Sequence, residues 1–227
     1  KTQIRKLREW DIRAGQKPDK IIANSKFVQN RIKKYWGRDS KVIYPPVEII
    51  RGDNFENHGA FVSICRLVAY KRVDLIVKAF NKLPEKNLII VGSGPELPRL
   101  KKIAKNNIRF IGEASNREKF NILKGAKGFV QASREDFGIS SVEAQACGIP
   151  VIAFGEGGAR ETVLDVKLTD NPTGIFFLKQ SEDHLIEKII EFLKIEFRKA
   201  DCIINAKKFS AESFRYKMLE QINSLTS

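Results

Sequence analysis

An alternation of two periodicities constrains this chain more than anything else in it. Short apolar runs recur at 20–23, 41–44, 60–65, 87–91, 108–111, 128–132, 150–154 and 174–177. Amphipathic helical stretches fall between them at 26–36, 73–83, 96–105, 117–123, 140–147 and 159–164. Runs such as Leu88-Ile89-Ile90-Val91 show no polar alternation, which suits a strand covered on both faces. Strand–helix repetition predicts an α/β fold built on a Rossmann-like, doubly wound parallel sheet with right-handed crossovers. Ligands of such sheets bind beyond the carboxyl ends of the strands. The ends depart from the alternation, with a charged helical stretch at 2–14 and helical runs at 181–197 and 210–224. The expectation is one domain over 1–227, with a helical lead-in at 1–36 and a helical tail at 181–227.

Bulk properties narrow the function classes. A chain of 227 residues with 42% hydrophobic content can bury a sizeable core, and no apolar run reaches the roughly 20 residues that span a bilayer. The first residues, Lys1-Thr2-Gln3-Ile4-Arg5, are neither an initiator Met nor a signal peptide and read as the middle of a longer protein. The net charge of +14 favours anionic partners: nucleotide diphosphates, phospholipid headgroups or nucleic acid. The cations are spread over helical segments rather than gathered in one arm interleaved with aromatics, which argues against nucleic acid. Cys65, Cys147 and Cys202 lack C-x-x-C spacing, and His58 and His184 have no matched ligand partners. No metal site is expected, and the thiols point to a reducing, cytoplasmic setting, in solution or at the inner face of a membrane.

The chemistry concentrates in Arg134-Glu135-Asp136-Phe137-Gly138-Ile139-Ser140-Ser141-Val142-Glu143-Ala144-Gln145-Ala146-Cys147-Gly148-Ile149-Pro150. Two carboxylates, Glu135 and Glu143, stand eight residues apart around a Phe-Gly turn. The second falls early in a helix whose N-terminal amides point back at the turn, a geometry suited to hydroxyls and phosphate. This string resembles the E-x7-E signature of the retaining nucleotide-sugar glycosyltransferases of GT-B fold, family 4 (glycosyltransferase group 1). With its continuation into Pro150-Val151-Ile152-Ala153-Phe154 it is most similar to their bacterial and archaeal polysaccharide mannosyltransferases. The resemblance runs from Leu7-Arg8-Glu9-Trp10-Asp11 and Ile22-Ala23-Asn24-Ser25 onward and matches the donor-binding, carboxy-terminal half. By that comparison the acceptor-binding N-terminal domain is absent.

The resemblance implies a role for each motif. Arg66 and Lys71, in an R-x4-K loop after the strand at 60–65, would neutralise the donor diphosphate without a metal, though Cys65 stands where the family usually has Gly. Gly92 and Gly94 would lie beside the nucleotide, in a loop that otherwise reads as a tight strand-to-helix turn and lacks the third glycine of a dinucleotide fingerprint. Ile111-Gly112-Glu113 falls where the family contacts the nucleobase. Glu135 would sit under the donor sugar and offset charge on an oxocarbenium-like centre, with Asp136 as its substitute if the register slips. The amides of Phe137, Gly138 and Ile139 would hold sugar hydroxyls, and Glu143 would take the ribose; Glu143 also reads as a first-turn glutamate favouring the helix dipole. Glu161, after Gly157-Gly158, would lie near the nucleotide-sugar, or simply start a helix.

The function implied is transfer of a hexose, mannose before others, from a nucleotide-sugar such as GDP-mannose to a glycan or lipid-linked acceptor, with no cofactor beyond the donor. This chain would hold the donor and be inactive alone. The rivals are a GT-B sugar-nucleotide epimerase and a basic nucleic-acid-binding module. Ile4, Leu7, Trp10, Phe214, Met218 and Ile222 are expected to be partly exposed, or paired with a second copy in a homodimer.

Overall fold

The computed structural model describes residues 2–48 and 57–226. Six strands form one parallel sheet: β3 (Phe61–Ile64), β4 (Leu88–Val91), β5 (Ile108–Gly112), β6 (Gly128–Gln131), β7 (Val151–Phe154) and β8 (Gly174–Phe177), in the order β5-β4-β3-β6-β7-β8. The chain leaves β3 outward through β4 and β5. It then returns to the other side of β3 and runs outward through β6, β7 and β8. That reversal opens a crevice between the carboxyl ends of β3 and β6, where neighbouring loops diverge.

The strands explain their own burial. Side chains alternate across a strand, so Phe61, Leu88, Ile90, Val130 and Ile152 enter one apolar layer and Val62, Ile89, Val91, Phe129 and Val151 the other. The first layer is closed by α3 (Val73–Asn81) and α8 (Glu182–Phe192), through Ile76, Phe80, Leu185 and Ile189; the second by α5 (Asn116–Lys124) and α6 (Ile139–Ala146), through Phe120, Leu123 and Ala144. The smaller helices α4 (Leu97–Ile103) and α7 (Ala159–Thr162) complete the crossovers.

The lead-in is more than helical. After α1 (Thr2–Gly15), β1 (Ile22–Ala23) and β2 (Lys41–Val42) pair in parallel as a separate two-stranded sheet rather than joining the large one. They flank α2 (Lys26–Trp36), whose N-cap Ser25 accepts from the Val28 amide and whose end is turned by Gly37 in the left-handed region. The tail also differs from the single run expected at 181–197. Helix α8 stops at Phe192, because Ile195 and Phe197 turn back onto the core. A further helix, α9 (Lys199–Lys207), then packs on α6 through buried Cys202, Asn205 and Ala206, and α10 (Ala211–Thr226) follows. Ile4, Leu7, Trp10 and Ile222 are exposed, whereas Phe214 and Met218 are half-buried. Among the described residues, no helix is long and apolar enough to cross a membrane.

Candidate functional site

A cavity of 470 Å³ occupies the crevice between β3 and β6. One wall is the loop after β3, lined by Cys65, Arg66, Tyr70 and Lys71; it runs through a 3-10 turn over Ala69–Lys71 to Arg72, left-handed where α3 begins. The opposite wall runs from Gln131 through Ser133, Glu135 and Phe137 to Ser140. Two charges meet across it. Lys71 Nζ lies 2.7 Å from each oxygen of Glu135, with both side chains only 17% exposed. The Ser133 hydroxyl donates to the same carboxylate. Removal of either partner would strand a mostly buried charge, so this pair fixes the site's shape as well as its polarity.

The Glu135 wall passes into α6 through Gly138, whose φ of 92° disfavours any residue with a Cβ. Gly138, Ile139 and Ser140 line the cavity at the N-terminal end of α6, where a helix carries partial positive charge. Ile139 lines the cavity and is exposed, but the Phe137 ring is buried with Val142 and Phe209 and stacks on Tyr44 at 5.7 Å, leaving its backbone to the cavity. Gln131, 8% exposed, accepts from the Ser141 hydroxyl, and its amide nitrogen has no hydrogen-bond partner among the described residues. Burial pushes the Cys65 thiol up to about 11, so at neutral pH it is no thiolate nucleophile.

Of the residues singled out from sequence, Arg66, Lys71, Glu135, Phe137, Gly138 and Ile139 come together around this cavity, and four do not line it. Gly92 and Gly94 have positive φ, and a Cβ at either would run into the carbonyl of Cys65 or of Leu67. Their loop clasps the Arg66 loop, with the Leu67 amide donating to Ser93 O at 2.8 Å and the Glu96 amide to Leu67 O at 3.1 Å. The glycines thus serve an approach of backbone to backbone. Glu143 is buried one turn into α6 and receives Lys119 Nζ at 2.6 Å, a partner that sequence reading missed. Near the nucleobase motif, Glu113 accepts from Ser93 Oγ at 2.5 Å.

Glu161 faces the lead-in. Its oxygens accept from the amides of Lys26 and Phe27 at 2.8 and 2.9 Å and from the Tyr44 hydroxyl at 2.9 Å. It caps α2, and burial together with this hydrogen bond pushes the Tyr44 phenol up to about 12. Sequence reading also missed Asn24 and Pro45, which the lead-in brings to the cavity, and the role of Asp136, which binds Arg31 of α2 at 2.6 Å. The signal for Asn24 was its place in Ile22-Ala23-Asn24-Ser25; nothing local announces the others. Among the described residues, no group of three or more His, Cys, Asp or Glu could hold a metal ion.

Comparison with known proteins bears on the fold and the family. The solved structure of Anabaena Alr3699/HepE in complex with UDP and glucose superposes with a TM-score of 0.76 at 21% identity, over 93% of this chain and 64% of that one, a likeness of fold that places the sheet in the GT-B architecture. The GDP-mannose-dependent monoacylated alpha-(1-6)-phosphatidylinositol monomannoside mannosyltransferase of Corynebacterium glutamicum is 35% identical over 60% of this chain and 38% of its own length. An uncharacterized glycosyltransferase of Methanocaldococcus jannaschii, MJ1178, is 32% identical over 85% of this chain and 54% of its own length. The chain spans about half the length of the curated relatives it matches. The profile of the family described as glycosyl transferases group 1 matches residues 48–209, most of the chain and both walls of the cavity, and this chain belongs to that family.

Proposed function

We propose that this chain is the donor-binding half of a retaining hexosyltransferase whose donor is GDP-mannose. The observation that carries the reading is the convergence of Lys71 and Glu135 at the topological switch point. Departure of the sugar breaks the C1–O bond to the diphosphate and leaves negative charge on phosphate and positive charge on the ring. Lys71 and Arg66 would neutralise the first, and Glu135 the second, from a preorganised position. The Phe137–Ile139 amides would hold sugar hydroxyls. With bond formation on the departing face, a donor phosphate oxygen takes the acceptor proton, so no protein nucleophile is needed. Glu143 would accept from the ribose once Lys119 shares or releases it.

Mannose is supported by the Corynebacterium relative, which is named as a GDP-mannose-dependent mannosyltransferase. Titration with GDP, UDP, ADP and their sugars tests the assignment. GDP and GDP-mannose should bind more tightly than the uridine compounds without added divalent metal. Tighter UDP binding would retire the mannose assignment.

A further inference from the structure

A second cavity, of 730 Å³, lies on the outer side of the Glu135 loop and is lined by Phe27, Asn30, Arg31, Lys34, Tyr35, Arg134 and Asp136. Asp136 lines the donor cavity as well, so the two adjoin. We infer that this second cavity is an acceptor-side subsite for an oxyanion, a phosphate monoester or diester carried by the molecule that receives the sugar. This rests on the donor reading above.

Two guanidinium groups from segments far apart in sequence converge on a single ring, with Arg31 Cζ at 5.8 Å and Arg134 Cζ at 5.7 Å from the centroid of Phe27. Each is tethered on one side by a carboxylate, Arg31 by Asp136 at 2.6 Å and Arg134 by Glu156 at 3.4 Å. A guanidinium offers five N–H donors in a fixed fork. The tethers use one donor of each, so both forks are oriented and most of their donors remain for a ligand. Lys34, resting over Tyr35 at 5.3 Å, adds a third cation with no carboxylate partner among the described residues. Three cations against two carboxylates, Asp136 and Glu156, leave a net positive charge that suits an anion. The volume lies within the range of ordinary small-ligand pockets, about 300–1,000 Å³. Glu161 holds Phe27 in place through its amide, so the subsite and the donor cavity share one frame.

The full chain is first titrated with GDP, then, in the presence of GDP, with glycerol 3-phosphate and inorganic phosphate, following the Arg Nε–H resonances. The Arg31 and Arg134 signals should move. Arg31→Gln or Arg134→Gln should each weaken the monoester about tenfold, the scale of one charge-assisted contact, with GDP affinity and melting temperature little changed. Arg134→Lys, which keeps charge and loses the fork, should restore part of the affinity. Vesicles of phosphatidylcholine with and without phosphatidylinositol separate the sources. Lipid-dependent binding lost in the variants assigns the oxyanion to a headgroup, and binding of the free monoester alone assigns it to a soluble acceptor. Affinities for both probes unaltered by the Arg31 and Arg134 substitutions, or phosphate binding lost only with Arg66→Ala, would overturn the inference. Failure of GDP to bind would instead count against the donor reading; the phosphate titration then proceeds without GDP, where Arg31→Gln and Arg134→Gln should still weaken binding and unaltered affinity would overturn the inference.

Discussion

Glu161→Ala separates an architectural glutamate from a donor ligand. The carboxylate accepts three hydrogen bonds, two from first-turn amides of α2 and one from Tyr44. Hydrogen bonds to a charged group are each worth about 1.5–3 kcal/mol. Lys26 is exposed and its amide would find water, so the net loss should be about 2–3 kcal/mol rather than the full sum. For a chain of this size that lowers the melting temperature by about 4–12 °C. The Tyr44 phenol supplies a second readout. Its folded value of about 12, against 10.0 ordinarily, gives stability that is fully present below pH 10 and lost as pH rises toward 12. In the variant a spectrophotometric titration should bring the phenol back toward its ordinary value, and the alkaline loss of stability should shrink. Thermal unfolding, tyrosine titration and a GDP titration are run together. An unchanged melting temperature with loss of GDP-mannose binding would refute the capping role and return Glu161 to the donor site.

Arg66→Ala or Lys71→Ala should cost about 1.5–3 kcal/mol of GDP affinity but almost none for guanosine, which lacks phosphate; equal losses for both ligands in calorimetry would make these residues structural. Gly94→Ala combines a left-handed backbone, φ 154°, with a clash on the Leu67 carbonyl, and should destabilise by about 3 kcal/mol in urea unfolding. On the proposed donor-half reading, mixing this chain with GDP-mannose and a lipid-linked or simple sugar acceptor should give no glycoside, because one sheet face alone would neither exclude water nor present the nucleophilic hydroxyl. Supplying the remaining half of a full-length relative should give one with the α configuration retained; transfer by these residues alone would refute this.

The large sheet and the helices that cover it were legible in the sequence because their signals are local. Leu88-Ile89-Ile90-Val91 announces a doubly covered strand, and the amphipathic stretch at 26–36 announces α2, wherever the rest of the chain goes. The helix α9 was not legible, because its hydrophobic periodicity is weak and its buried Asn205 makes sense only against Gln145 and Thr162 of other elements. The lead-in strands β1 and β2 were visible as strands, but not as members of a separate sheet. The same division runs through the site. The Glu135–Glu143 spacing and the Arg66–Lys71 loop could be read residue by residue. What each carboxylate meets could not: Glu135 finds Lys71, Glu143 finds Lys119, and Glu161 turns to α2. Those partners lie 24 to 135 residues away along the chain. Secondary structure follows from the repeat of neighbouring side chains, whereas an ion pair or a cap depends on strand order and on where the chain reverses, and only the assembled sheet decides that.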